Sequence, residues 1–285
     1  MSRLTVPKTY KLAIGGAFPR SESGRIRAVH GADGTFLANA AQASRKDARE
    51  AVVAARKAQP GWAGATAYNR GQVLYRVAEI MEGRREQFIA EIRAQEGASR
   101  ADAVAQLDRA IDLWVWYAGW ADKYVQAAGG QNPVSGPYFN LSTPEPTGVV
   151  AIAAPQEETL LGLVGTIAPA LVSGNTVVVI ASEAYPLSSI SLAEVLATSD
   201  VPGGVVNVLT GSPAEMLPWL ASHRDVNAID LTGAAALDWA SYEADASETL
   251  MRVVRPGRFP ARTGSLERIT ALTEIKTVWH TQSMG

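Results

Sequence analysis

The residues of this chain that could do chemistry are few and widely spaced. It contains three histidines, His30, His223 and His280, and no cysteine. No histidine has a second histidine or a nucleophilic side chain at the spacing of a metal site or a catalytic triad. Without cysteine there is no disulfide, no zinc–thiolate or iron–sulfur site and no thiol nucleophile. We therefore interpret the three histidines as surface or cap residues.

Two short polar segments are further candidates. Gln156, Glu157 and Glu158 include two carboxylates, but side chains of adjacent residues point in different directions, which disfavours paired acid–base chemistry. A solvated acidic pair, or the acidic start of a helix stabilised by its dipole, is the favoured interpretation. Ser182 and Glu183 follow an apolar run, and their role depends on the elements that position them.

Composition indicates a globular protein with a sizeable core. The chain has 285 residues, of which 47% are hydrophobic and 19% charged, and its formal net charge is -2. No block of like charge is present, so we expect neither nucleic acid nor an acidic membrane surface as a partner. The start lacks the apolar run of a signal peptide, which together with the absence of cysteine leads us to expect a cytoplasmic location.

One uncharged stretch, residues 159–182, is about as long as a bilayer-spanning helix. Pro169 interrupts it, and Gly174-Asn175 is a turn signal followed by a β-branched run. The pattern therefore predicts a buried helix followed by a buried strand rather than a membrane span.

The first half of the sequence predicts a helical layer preceded by a short extended arm at residues 10–14. Apolar residues at helical spacing predict one helix over about 45–59, ending at Pro60-Gly61, and a second from Arg70. A third ends before Gly97, and a long fourth begins after Ser99. Aromatic residues cluster late in this half, and we interpret them as core or interface rather than as a platform for stacking bases or sugars. They are Trp114, Trp116, Tyr117, Trp120 and Tyr124.

The second half alternates between apolar strands and helices. The predicted strands are 149–154, 176–181, 205–209 and 228–231, and the predicted helices are 159–173, 186–198 and 213–221. This alternation predicts an α/β fold with a Rossmann-like, doubly wound parallel sheet buried on both faces. Its ligand crevice would lie at the carboxyl ends of the strands.

Several short motifs of the second half occur in a recognisable order. They are Gly174–Val178 (GNTVV), Ser182–Ser188 (SEAYPLS), Pro202–Gly211 (PGGVVNVLTG) and Leu231–Gly233 (LTG). In this order they resemble the cofactor-binding domain of the aldehyde dehydrogenase superfamily. Segments 54–62, 69–71 and 117–123 are similar to its N-terminal helices, so the resemblance covers about residues 38–254.

The resemblance implies a vestigial NAD(P) site. The positions that match the family's cofactor contacts are Pro155, Ser182, Glu183, Gly211, Thr232 and Gly233. Ser182 and Glu183 stand where the family contacts the adenosine ribose. A retained helix N-cap and a surface carboxylate are the favoured interpretation of these two residues.

Departures from the family pattern predict lost chemistry. Glu157 stands where the family has an asparagine that holds the developing oxyanion, and a carboxylate would repel that charge. Ile180 replaces a ribose-binding lysine, and Asp238 replaces a glycine near the phosphates. Residues 252–257 (RVVRPG) stand where the segment with the general base would begin, and no thiol is present. We therefore expect no catalytic residue, no metal, and weak or absent NAD(P) binding.

Residues 273–279 resemble the family's C-terminal strand, which pairs with a neighbouring subunit. The implied organisation has four parts, which are an arm and helical layer (1–128), an oligomerisation hairpin (129–147), a Rossmann-like portion (148–254) and a connector with a C-terminal oligomerisation strand (255–285). Residues 256–272 would then form a short, irregular, exposed bridge in place of the catalytic domain.

These observations favour a catalytically inactive aldehyde dehydrogenase-like subunit, a pseudoenzyme. It would assemble with itself or with a full-length aldehyde dehydrogenase. One alternative is an NAD(P)-binding oxidoreductase subunit that takes part in aldehyde oxidation with catalytic residues from a partner. Another is a nucleotide-binding regulatory module. Assignment to the oxidoreductases from the fold alone is only an analogy.

Overall fold

A computed structural model of the chain describes Leu4 and residues 6–282. Its strands are β1 (Thr9–Tyr10), β2 (Ile26–His30), β3 (Phe36–Ala41), β4 (Tyr138–Pro146), β5 (Val149–Ala153), β6 (Thr176–Ile180), β7 (Val206–Leu209), β8 (Ala228–Asp230), β9 (Arg252–Val254) and β10 (Thr273–Thr281). Its helices are α1 (Arg45–Gly64), α2 (Ala67–Gly83), α3 (Arg85–Glu96), α4 (Arg100–Trp120), α5 (Tyr124–Ala128), α6 (Thr159–Val172), α7 (Leu187–Ala197), α8 (Pro213–Ala221), α9 (Trp239–Ser247) and α10 (Leu266–Thr270).

The centre is a parallel sheet in the order β7-β6-β5-β8-β9. Every residue of β5 and β6 is buried, because helices cover both faces. Val150 and Ile152 of β5 face a core shared with α2, α3, α4, α6 and α7. Val149 and Ala151 face a second core shared with α1 and α8. The doubly wound α/β sheet predicted from the strand–helix alternation is confirmed.

The uncharged stretch forms α6 and β6, both of them fully buried, as its punctuation predicts. None of the helices among the described residues is both long enough and apolar enough to cross a bilayer.

The helical layer differs from its prediction mainly at the end of α1. The helix continues through Pro60 to Gly64, although proline usually ends or kinks a helix. Trp62 stabilises the added turn, because its indole is 2% exposed and donates a 3.0 Å hydrogen bond to the carbonyl oxygen of Leu171. The second helix begins at Ala67 rather than Arg70, since the Thr66 hydroxyl caps it. Helix α3 ends just before Gly97 and α4 begins just after Ser99, as predicted.

The aromatic cluster of α4 and α5 lies mostly in the core. Trp114, Tyr117 and Tyr124 are buried, while Trp116 and Trp120 are partly buried against the same core. The interpretation as core is confirmed.

A three-stranded sheet in the order β1-β3-β2 precedes the helical layer. The predicted extended arm at 10–14 overlaps β1 at Tyr10 and contains Ala13, which forms a bridge with Val208. The antiparallel pair of β2 and β3 is absent from the prediction. Its strands are short and half-exposed, so they lack the apolar runs that reveal the central sheet.

The remaining two strands form an antiparallel ribbon, β4 with β10. Their register runs from Thr273 opposite Pro146 to Thr281 opposite Tyr138. The predicted hairpin at 129–147 is thus mainly one long strand, which one bridge between Gly130 and Ser142 joins to the start of the segment. The pairing partner of β4 is the C-terminal strand of the same chain.

Candidate cofactor cleft

All six residues that match the family's cofactor contacts lie at the carboxyl edge of the central sheet, but only three share a cleft. Pro155 follows β5, and Thr232 and Gly233 follow β8. These three line a cleft of about 530 Å³. Ser182, Glu183 and Gly211 follow β6 and β7 and lie outside its lining.

The opposite wall of the cleft comes from residues after the family-like region. Phe259, Pro260, Ala261 and Arg262 line it. This segment packs directly on α6, since a Cβ at Gly165 would lie 1.7 Å from the carbonyl oxygen of Ala261. Glycine at position 165 is therefore what allows the connector to approach the helix.

A buried ion pair ties the connector to the sheet. The Arg268 guanidinium donates to the Asp230 carboxylate at 2.7 Å, and the two side chains are 2% and 1% exposed. Arg268 also donates to the carbonyl oxygen of Phe259 at 3.1 Å. The other Asp230 oxygen accepts the backbone N–H of Thr232 at 2.9 Å and the Thr232 hydroxyl. One carboxylate thus fixes both the turn after β8 and the connector that covers it.

The expectation of an irregular, exposed bridge over 256–272 is wrong for its second half. From Ser265 the chain forms α10, in which Arg268 and Ile269 are buried. The backbone N–H of Ser265 donates to the Tyr117 hydroxyl at 3.4 Å, and burial raises the pKa of Tyr117 to about 12. The prediction misses this because the partners of Arg268 are distant in sequence.

The start of α6 is capped by a residue that sequence reasoning does not identify. The Glu96 carboxylate at the end of α3 accepts the backbone N–H of Thr159 at 3.1 Å and its hydroxyl at 2.7 Å. Glu158 has a positive φ of 44°, makes no side-chain cap and forms an ion pair with Arg262. The first turn of α6 contains no acidic residue, and the cap comes from another element.

Ser182 and Glu183 have structural partners. The Ser182 hydroxyl oxygen accepts the backbone N–H of Tyr185 at 3.3 Å, and α7 begins two residues later, so Ser182 closes a turn and is not the N-cap. Glu183 forms an ion pair with Arg27 at 3.1 Å, with both side chains partly exposed. Its backbone N–H donates to the Gln156 side chain at 2.9 Å, which links the loops after β5 and β6.

Gly211 allows two backbone segments to approach each other closely. Its φ is +132°, and a Cβ there would lie 3.2 Å from the backbone nitrogen of Ala43. The preceding Thr210 accepts the Ala43 N–H with its carbonyl at 2.8 Å. The segment after β3 therefore packs on the end of β7 at this point.

Two of the residues that depart from the family pattern, Ile180 and Asp238, have structural roles. Ile180 is fully buried in the core, where it offers no hydrogen-bond donor to a ligand. Asp238 is exposed and caps α9 through a bond from the Ser241 N–H at 3.4 Å, and it does not line the cleft. Neither side chain lines the cleft, so neither supplies a hydrogen-bond donor to a ligand bound there.

The cleft holds no constellation for catalysis. Its lining residues include neither histidine nor cysteine, and its two ionisable residues are Glu157, which is exposed, and Arg262, which pairs with Glu158. The Thr232 hydroxyl donates to the Asp230 carboxylate, whose other oxygen is already bound to Arg268. His30, His223 and His280 lie elsewhere, and within the described residues no group of acidic or histidine side chains could hold a metal ion.

Similarity to known proteins decides the family. The sequence profile of the family described as "Aldehyde dehydrogenase family" matches residues 18–255, which is most of the chain. The chain belongs to the aldehyde dehydrogenase family. Cytosolic 10-formyltetrahydrofolate dehydrogenase of Mus musculus is 32% identical over 239 residues, which are 82% of this chain and 26% of the relative. Aldehyde dehydrogenase, cytosolic 1 of Elephantulus edwardii is 32% identical over 250 residues, which are 85% of this chain and 49% of the relative.

Solved aldehyde dehydrogenase structures share the fold. A putative aldehyde dehydrogenase from Burkholderia cenocepacia superposes with a TM-score of 0.81 at 30% identity and covers 86% of this chain and 50% of its own. Betaine aldehyde dehydrogenase from Staphylococcus aureus, in complex with NAD+, superposes with a TM-score of 0.81 over 87% of this chain and 50% of its own, and at 24% identity it shows the fold alone. This chain therefore spans half or less of the length of these relatives.

Proposed function

We propose that this aldehyde dehydrogenase family member is a catalytically inactive subunit, a pseudoenzyme with a structural or regulatory role in an oligomer. The observation that carries the proposal is the connector. Gly257 and residues 259–262 form one wall of the cleft at the carboxyl edge of the sheet, and Arg268 fixes the connector through a buried ion pair. The cleft is thus walled by the chain itself and offers no nucleophile with a base.

The proposed inactivity rests on chemistry as well as on packing. Aldehyde oxidation in this family, as the resemblance implies, needs a thiol to form a covalent intermediate, and the chain has no cysteine. Glu157 brings negative charge to the position of an oxyanion donor. Losing nucleophile, oxyanion donor and base together leaves no group to lower the barrier.

An activity assay tests inactivity directly. The purified chain is incubated with NAD+ or NADP+ and several short aldehydes, with a full-length aldehyde dehydrogenase as positive control, and cofactor reduction is followed. We expect no rate above the protein-free blank. Turnover that survives repurification and follows the protein peak would contradict the proposal. Addition of the full-length enzyme to this chain tests the partner-supplied alternative, which requires a rate above that of the enzyme alone.

NAD(P) binding should be weak or absent. Each missing hydrogen bond to a polar ligand costs roughly 1–3 kcal/mol, and Ile180 supplies none. A ligand present at about 1,000 times its Kd stabilises a protein by about 4 kcal/mol, so micromolar binding would raise the Tm clearly at millimolar NAD+. We expect no such rise in a thermal melt. A clear rise would show that other contacts compensate, and would favour the nucleotide-binding module instead.

Assembly through the ribbon completes the proposal. Leu141, Ile275 and Trp279 are large apolar side chains that are 45–56% exposed on this ribbon. We propose self-assembly or assembly with a full-length aldehyde dehydrogenase. Two relatives are named as cytosolic enzymes, which supports the proposed cytoplasmic location.

A further inference from the structure

We propose that strand β10 pairs antiparallel with β10 of a second copy, about a two-fold axis at Thr277, so that two ribbons join into one four-stranded sheet. This inference rests on the proposed role in an oligomer and specifies the partner and register. Three observations carry it, namely the direction of the backbone groups of β10, the side chains that the register brings together, and the exposure of the strand.

The free edge of β10 is set by its pairing with β4. Ser142 exchanges both of its backbone hydrogen bonds with Gly130, at 2.9 and 2.8 Å, so its N–H and C=O point away from β10. Thr277 lies opposite Ser142, and its backbone groups therefore point away from β4. The N–H of Gln282 and the carbonyl of Leu272, both even-numbered, bond toward the β4 side. Odd-numbered residues of β10 thus present their backbone groups at the outer edge.

That edge is long and open. In the described part of the chain β10 pairs only with β4, and residues 274–281 are all exposed. Unpaired backbone donors and acceptors in a row form a template for another strand. A second copy supplies a strand of matching length, and the odd-numbered residues of both copies can pair with each other.

Only some registers are compatible with the side chains. With the axis at Thr277, Ile275 lies opposite the second copy's Trp279, an apolar pair of a β-branched and an aromatic residue. Glu274 lies opposite the second copy's His280, and Lys276 opposite its Val278. No two like charges face each other in this register.

The neighbouring registers are less favourable. An axis at Lys276 would place that lysine directly opposite its own copy, and like charges in this position are destabilising. An axis at Val278 would place Lys276 opposite His280 and leave Glu274 without a basic partner across the edge. The axis at Thr277 also overlaps all of β10, from Thr273 to Thr281.

The face around Trp279 continues the apolar surface across the axis. The rings of Tyr138 and Trp279 pack edge to face within one ribbon, with centroids 6.1 Å apart. Ile275 of the second copy would lie beside this pair. Trp279 and Ile275 are 56% and 55% exposed in one chain, and the pairing would cover both.

Variants with a single introduced cysteine test the register without interference from other thiols, because the chain contains no cysteine. In this register positions 276 and 278 of the two copies form a non-hydrogen-bonded pair, whose Cβ atoms are about 4.5–5.5 Å apart, close enough for a disulfide. Lys276→Cys and Val278→Cys variants are purified, mixed, allowed to exchange subunits and oxidised mildly. We expect a disulfide-linked dimer from the mixture and little from either variant alone.

Other outcomes overturn the proposal. Cross-linking of Lys276→Cys alone would place the axis at residue 276, and cross-linking of Val278→Cys alone would place it at residue 278. No cross-link in any sample would exclude the pairing. A mixture of Val278→Cys with Thr143→Cys, a position on β4, is the matched control and should stay unlinked between chains, as should all samples oxidised in denaturant.

Two proline variants distinguish a loss of pairing between copies from a loss of the ribbon within one chain. Ile275→Pro removes an N–H that points to the outer edge, whereas Lys276→Pro removes one that bonds to β4. Ile275→Pro should lower the mass measured by light scattering to that of a monomer while the melting curve is largely kept, and Lys276→Pro should damage both. If Ile275→Pro keeps the assembled mass, the pairing is wrong. If the unmodified chain assembles without any cross-link, the oligomeric subunit role stands and only the self-pairing fails.

Discussion

The carboxyl edge of the central sheet and the outer edge of β10 differ in whether their polar groups have hydrogen-bond partners within the chain. At the sheet edge, the chain supplies its own partner, since α10 brings Arg268 to Asp230 and the connector walls the cleft. At β10, no described residue covers the backbone groups of the outer edge. The polar groups of the first region are bonded within the chain. The backbone groups of the second remain available to another strand. The difference supports the proposed role, in which the chain keeps contacts for assembly while the connector forms a wall at its ligand edge.

The largest expected effect concerns the buried ion pair of Arg268 and Asp230. Arg268→Met should lower the free energy of unfolding by about 3–5 kcal/mol, because it leaves the buried Asp230 carboxylate without its partner. Chemical denaturation at fixed protein concentration measures the loss.

The exposed pair of Arg252 and Glu274 provides the matched control for Arg268→Met. Arg252→Met breaks an ion pair whose side chains are 40% and 55% exposed, and it should cost less than about 1 kcal/mol. Arg268→Met combined with Asp230→Leu should recover part of the loss, since no unpaired charge remains. Equal costs for the two arginine variants would mean that the connector is not anchored by this pair.

Removal of residues 273–285 tests the ribbon. Without β10, strand β4 loses its partner along its whole length and exposes Leu141 and Tyr138 further. We expect a monomer or insoluble protein, measured by light scattering and by the soluble fraction after expression. A truncated chain that keeps the mass and solubility of the intact assembly would remove the main support for the ribbon as an interface.

A smaller effect is expected at the start of α6. Thr159→Val keeps the side-chain shape but removes the hydroxyl bond to Glu96, which should cost about 1 kcal/mol in the free energy of unfolding. Thr147→Val is the matched control, because the Thr147 hydroxyl is buried without a hydrogen-bond partner, and it should be neutral within about 0.5 kcal/mol. Similar losses in both variants would assign the effect to packing rather than to the cap.

The sequence predicts the central sheet well because its strands are short apolar runs separated by clear turns. Strands β5 to β8 and helices α6 to α8 lie within one or two residues of their predicted bounds. The six residues that match the family's cofactor contacts all follow strands at the carboxyl edge, although only three of them share a cleft. The cleft itself is less predictable, because its wall comes from Gly257 and residues 259–262, outside the matched family region.

Long-range polar contacts account for most of what sequence reasoning misses. Glu96 caps a helix that begins 63 residues later, and Arg268 pairs with a carboxylate 38 residues earlier. Neither separation has a local signature, since helix and strand periodicity reports only near neighbours. A lone aspartate at the end of an apolar strand was the one signal for Asp230, because a buried carboxylate requires a cationic partner.

The ribbon also has a consequence for the order in which the chain folds during synthesis. Ser142 of β4 and Thr277 of β10 are joined by a hydroxyl contact of 2.8 Å across a separation of 135 residues. Strand β4 therefore leaves the ribosome long before its partner exists, and closing so long a loop is slow. Throughout that interval an unpaired strand with exposed apolar residues is open to aggregation or to chaperones. Translation must pass Thr281 before β4 can be protected along its whole length by its own chain.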